Sequence, residues 1–136
     1  MLYTAVNCSG PVAVRYPRGS GSGADLSEKP EVLEMGRGEV VYKSSRFTGS
    51  RIIISNTESG QVPSSKSQVR NPKSEQCIIA VGSMVYPAVE AAKLLEKEGV
   101  VSTVINARFV KPLDRALIVN GAKEAERVVT VEEGVL

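Results

Sequence analysis

The sequence predicts an α/β fold, a parallel sheet with crossover helices, and three features of its second half carry that prediction. Cys77-Ile-Ile-Ala-Val81 is a short, continuous apolar run, the pattern of a strand buried on both faces, and residues 103–107, built around Val104 and Ile105, read as a second buried strand. Each is followed by a stretch of helical length with its apolar residues on one side, and a third run, Val128-Val-Thr-Val131, follows the second. Strand, helix, strand, helix, strand with short links means parallel strands and right-handed crossovers.

From the N-terminus, Gly10-Pro-Val-Ala-Val-Arg-Tyr-Pro-Arg-Gly19 contains a short strand over residues 12–16, closed by Pro17. Gly19-Ser-Gly-Ser-Gly23 is a flexible connector, so residues 1–23 read as the tail of a preceding domain. Gly19, Gly21 and Ala24 spell a G-x-G-x-x-A pattern, the spacing of a dinucleotide-binding turn. That turn needs a helix N-terminus behind it, and Asp25-Leu-Ser-Glu-Lys-Pro30 meets a proline too soon, so a linker is the reading. Residues 24–43 are this linker and the strand leading into the next domain, over 36–43.

Residues 44–75 are Ser-rich and polar and read as a disordered insertion in which Ile52-Ile-Ile54 pairs as an edge strand. A basic tether using Arg51, Lys66, Arg70 and Lys73 is the alternative. In the domain that follows, Pro87 suits the first turn of a helix whose inward face holds Ala88, Ala91, Ala92 and Leu95, with Gly99 just past its end. Asp114 caps a second helix with Leu117, Ala122 and Ala125 inward, and Gly121 costs it roughly 1 kcal/mol relative to alanine.

Parallel strands end on one side of the sheet, where ligands bind in open α/β folds. Gly82-Ser83, Arg108-Phe109 and Glu132-Glu133 stand at those ends. A glycine permits close approach, a serine donates a hydrogen bond and an arginine offers a fork for phosphate or carboxylate, so the natural ligand is an anion. The plainer reading of Arg108 is a solvated charge or a partner of Glu132 or Glu133, pairs that contribute little when exposed. Glu132 and Glu133 point to opposite faces and are poorly placed for paired acid–base chemistry. Arg15 and Arg18, flanking Pro17, read equally well as phosphate contacts or as an interdomain contact.

Composition closes off other classes. With 17 Lys+Arg, 15 Asp+Glu and a formal net charge of +2, nothing points to nucleic acid or an anionic membrane. There is no apolar run of about 18 residues and no signal-peptide pattern at the start, which predicts a cytoplasmic protein. The chain contains no histidine, which excludes Ser-His or Cys-His nucleophiles and histidine metal sites within it. Cys8 and Cys77 form no C-x-x-C pair, and Cys77 reads as a buried small hydrophobe.

Four stretches together carry a family resemblance. Gly10-Pro-Val-Ala-Val-Arg-Tyr-Pro-Arg-Gly19, Gly82-Ser-Met-Val-Tyr-Pro-Ala-Val-Glu-Ala-Ala92, Asn106-Ala-Arg-Phe-Val-Lys-Pro-Leu-Asp114 and Val129-Thr-Val-Glu-Glu133 closely resemble the C-terminal third of the 1-deoxy-D-xylulose-5-phosphate synthases. The resemblance implies a transketolase-like enzyme family that uses thiamine diphosphate and Mg2+ to condense pyruvate with glyceraldehyde 3-phosphate, releasing carbon dioxide, as a homodimer. It implies that Arg108 helps to hold the substrate phosphate, while no residue here is catalytic, cofactor-binding or metal-binding. It further implies a remnant of the central pyrimidine-binding domain over 1–23 and a truncated transketolase C-terminal-like domain over 76–136. On that basis the chain alone is expected to bind no cofactor, to be inactive and to be marginally stable. The rival expectations are a non-catalytic dimerisation or docking module, and a fragment of a transketolase or 2-oxoacid dehydrogenase β-type chain.

Overall fold

In the computed structural model of the chain, residues 1–16, 29–45 and 74–134 are described. A short helix, α1 (Leu2–Val6), is followed by strands β1 (Glu39–Lys43) and β2 (Ser74–Ala80). A single 3-10 turn, Gly82–Met84, leads into helix α2 (Val85–Lys97), and then come β3 (Ser102–Asn106), α3 (Arg115–Lys123) and β4 (Ala125–Val131). The four strands form one sheet in the order β1-β3-β2-β4. The second half has the expected parallel arrangement, since β2 pairs parallel with both β3 and β4. The whole sheet is mixed, because β1 lies antiparallel along the outer edge of β3.

Alternation along β2 explains why helices sit on both faces. Ile78 and Ala80 turn to one side, where they pack with Val85, Ala88 and Ala92 of α2 and with Val104. Cys77 and Ile79 turn to the other, where they meet Ile105, Ala107 and the α3 residues Leu117 and Ile118. The connection from β2 to β3 runs one way across the sheet and the connection from β3 to β4 runs back past β2. With both crossovers right-handed, the two helices fall on opposite faces. Val104 and Ile105 are 0% and 1% exposed, and burying side chains of this size stabilises by about 1.5–3 kcal/mol each.

Gly121 takes a different meaning from its helix propensity. A Cβ there would stand 2.5 Å from Ile105 Cδ1 and 3.2 Å from Cys77 Sγ, so glycine is what lets α3 lie this close to the sheet. Its propensity cost of about 1 kcal/mol is offset by an overpacking penalty of about 1–3 kcal/mol that any larger residue would incur.

Several sequence expectations are corrected. Residues 12–16 join no strand, and α1, which precedes them, was not expected. The third parallel strand starts at Ala125, so that residue packs from the sheet and not from the helix. Ala91 is exposed, while Ala88 and Ala92, one helical turn apart, carry the buried stripe. The segment read as an insertion over 44–75 has both ends inside the fold: Ser44 is buried, and β2 begins at Ser74. Residues 46–73, with Ile52–Ile54 and the basic tether among them, and residues 17–28, with Arg18 and the glycine connector, lie outside the described residues.

Candidate functional site

The two helix directions define a crevice. The chain leaves β2 towards one face and leaves the adjacent strand β3 towards the other, so the C-terminal ends of β2 and β3 flank a topological switch point. That is the place where open α/β sheets bind ligands. The floor is fixed by a hydrogen bond from Ala107 N–H to Ala80 O, 3.0 Å, which ties the two strand ends together. Arg108 follows on one side of the crevice, and Gly82-Ser83 on the other.

Arg108 has φ +55°, the one positive φ outside glycine among the described residues. Such a conformation is uncommon for a residue with a Cβ, and three local interactions hold it. Phe109 N–H donates to Ala107 O two residues back, closing a tight turn around Arg108. Arg108 N–H donates to Asn106 Oδ1 at 3.0 Å. Phe109, 7% exposed, anchors the turn in the interior. The guanidinium is part-exposed and forms an ion pair with Glu39 through Nη2 and Oε2. Glu39, and neither Glu132 nor Glu133, is therefore its acidic partner.

Glu39 reaches this place because β1 runs antiparallel to β3. The first residue of β1 stands opposite the last of β3, and Glu39 pairs with Asn106 in register. Asn106 Nδ2 also donates to Glu39 Oε1 at 3.4 Å. The preceding Gly36-Arg-Gly sequence makes this approach sterically feasible. A Cβ on Gly38 would stand 3.0 Å from both Asn106 O and Leu117 Cδ2, and Gly38 N–H donates to Asp114 Oδ2 at 3.1 Å. Asp114 thus serves two elements, since its Oδ1 also accepts from Leu117 N–H at 3.0 Å as the N-cap of α3. Those two backbone N–H donors, Leu117 first and then Gly38, hold its carboxyl below the ordinary carboxylate range.

At the other side of the crevice Ser83 Oγ donates to Glu133 Oε2, and Arg15 Nη2 donates to Glu133 O at 2.7 Å. Ser83 and Glu133 are thus brought together as the strand-end geometry implies, while Arg108 turns the opposite way to the β1 edge. Arg15 docks the N-terminal segment onto the end of β4. The sequence placed Arg108, Ser83 and Glu133 at the strand ends but did not show the contacts of Glu39 and Asn106 with Arg108. The G-R-G-E spacing just before an apolar run was the one available signal that a carboxylate opens a closely packed strand.

The remaining perturbed groups lie elsewhere. Burial, followed by the nearby Glu124 carboxylate, pushes the Cys77 thiol up, as befits a packed small hydrophobe. Tyr42 donates its hydroxyl to Glu96, and this hydrogen bond, with burial second, raises its pKa. Glu96 also accepts from Ser45 N–H and Oγ at 2.6 Å each, pinning the end of β1 to α2 far from the crevice. Among the described residues no group of three His, Cys, Asp or Glu side chains is placed to hold a metal ion, and no helix is long and apolar enough to cross a membrane.

Comparison with known proteins gives a consistent result. Residues 65–136 match the family described as transketolase, C-terminal domain. Over its full length the chain is 43% identical to the 1-deoxy-D-xylulose-5-phosphate synthase of Heliobacterium modesticaldum, of which it covers 16%. It is likewise 40% identical to the synthase of Halothermothrix orenii, of which it covers 17%. A solved split-gene transketolase, in an inactive β4 tetramer, is 31% identical with a TM-score of 0.51, over 76% of this chain and 24% of that one. The chain therefore spans roughly a sixth of the length of the curated relatives it matches.

Proposed function

The chain belongs to the transketolase C-terminal domain family, and from that premise we propose that it is the substrate-phosphate-holding part of a 1-deoxy-D-xylulose-5-phosphate synthase. In the complete enzyme pyruvate would lose carbon dioxide and its remaining two-carbon unit would join glyceraldehyde 3-phosphate. The observation that carries this reading is Arg108, held in an uncommon backbone conformation at the end of β3 beside the switch-point crevice. Once released from Glu39, to which it is paired at the β1 edge, the guanidinium would present a planar fork to the phosphate oxygens. A charge-assisted hydrogen bond of this kind contributes about 1.5–3 kcal/mol. Fixing the phosphate orients the aldehyde end of the substrate without touching it.

Thiamine diphosphate and Mg2+ would supply the decarboxylation chemistry in such an enzyme. The described residues of this chain do not fit them: the strand ends carry an arginine turned to the β1 edge, a serine and separated carboxylates, with no metal-holding cluster among the described residues. The chain is accordingly proposed to act with partner domains that bind the cofactor, in a homodimer, and to have no synthase activity by itself. The test is a chimera in which this chain replaces the matching segment of the Heliobacterium enzyme. Carbon dioxide release dependent on pyruvate, glyceraldehyde 3-phosphate and thiamine diphosphate is expected from the chimera and not from the 136-residue chain. An assembled but inactive chimera would contradict the reading and favour a docking module.

A further inference from the structure

Arg108 is held by two separate sets of contacts, and they do different things. Its backbone is fixed by Asn106 Oδ1 and by the turn from Ala107 to Phe109, and Glu39 touches this set only through a long hydrogen bond from Asn106 Nδ2, 3.4 Å. Its guanidinium is occupied by the Glu39 carboxylate. From this division we infer that Glu39 is an internal competitor: it occupies the Arg108 fork while the site is empty and is displaced when a phosphate arrives. The inference rests on the phosphate-site reading of Arg108 and adds to it the residue that regulates occupancy.

Three observations favour displacement over a positioning role. The Arg108 and Glu39 side chains are 27% and 40% exposed, so their pairing is that of a solvent-accessible ion pair, weak enough for a doubly charged phosphate to replace. Glu39 keeps a second partner when it lets go, because Asn106 Nδ2 already faces its Oε1. It also stands at the first residue of an edge strand, with its side chain open to solvent on one side. A carboxylate left beside the bound phosphate would repel it, which adds to the cost that Glu39 imposes on ligand binding.

The experiment is an NMR titration of the 136-residue chain with glyceraldehyde 3-phosphate, and with inorganic phosphate in a parallel series. It follows the Arg108 amide and guanidinium signals and the Glu39 side-chain carboxyl carbon. Glu39→Gln, which retains the size and polarity of the side chain, is expected to tighten binding of both probes roughly 2- to 5-fold, the range of a part-exposed ion pair. In the parent chain the Glu39 carboxyl signal is expected to move with the same midpoint as Arg108. Weaker binding or unchanged affinity in Glu39→Gln, or a Glu39 signal that stays in place as Arg108 saturates, would overturn the inference while leaving Arg108 as a phosphate ligand. Affinity that is the same in the parent, Glu39→Gln and Arg108→Ala chains would overturn the phosphate-site reading and the inference with it.

Discussion

Arg108 combines a side chain suited to phosphate with a backbone conformation that costs any residue bearing a Cβ about 1–2 kcal/mol. Among the described residues other than glycine the cost is confined to φ +55° at this one residue, and it separates the backbone from the side-chain role. Arg108→Gly is expected to be more stable than Arg108→Ala by roughly 1 kcal/mol in urea unfolding, while both lose phosphate binding alike. Equal stability of the two variants would mean that the turn is not strained. The sequence made Arg108 legible as a strand-end arginine because an apolar run, a proline and a capping aspartate are local signals. Its partner was not legible. Glu39 meets it through an antiparallel pairing between distant segments, and no periodicity in either segment specifies that register.

Among the elements, α3 shows how one side chain can hold a loop and a helix together. Asp114 was readable as an N-cap from its position before Arg115-Ala-Leu117, and the cap is observed. Its second bond, to Gly38 N–H, ties the approach to β1 to the start of α3 and was invisible in the sequence. Because these bonds lower its pKa in the folded chain, the stability they contribute is present above the ordinary carboxylate pKa and is lost as pH falls through the lower folded value. Asp114→Ala should therefore unfold more readily than the parent at neutral pH, with the difference closing on acidification below about pH 4. Thermal melts across that range check it, and a difference independent of pH would count against the charged cap. The strand expected over 12–16 failed for a related reason: a short apolar run and a closing proline describe an extended segment but cannot supply an edge for it to pair with. Residues 12–16 instead lie outside the sheet, with Arg15 reaching the carbonyl of Glu133.

At the scale of the whole molecule the sheet separates two ends. The candidate site lies beyond the C-terminal ends of the parallel strands. The chain leaves β1 and enters β2 at the opposite end, where Ser44 N–H donates to Ser102 O and Glu75 N–H donates to Val101 O. Ser102 N–H in turn donates to Ser44 Oγ at 3.0 Å, so both attachments of residues 46–73 are fixed beside the start of β3. Replacing 46–73 with a short Gly-Ser linker is expected to leave phosphate affinity unchanged in the same NMR titration, and a clear loss would show that the segment takes part in the site. The parallel core was legible because continuous apolar runs alternating with amphipathic stretches allow few topologies. The strand expected over 36–43 is present as β1, but its antiparallel place on the edge of β3 was not legible, since its paired direction depends on a connection whose course no local pattern dictates.

The central claim, that Arg108 holds the phosphate of one substrate and nothing else in the reaction, is tested most directly by steady-state kinetics of the chimeric synthase with Arg108→Ala. The account predicts that KM for glyceraldehyde 3-phosphate rises about 10- to 100-fold, the equivalent of the lost charge-assisted contact, while KM for pyruvate stays within experimental error. An unchanged KM for glyceraldehyde 3-phosphate, or an equal rise for both substrates, would contradict it.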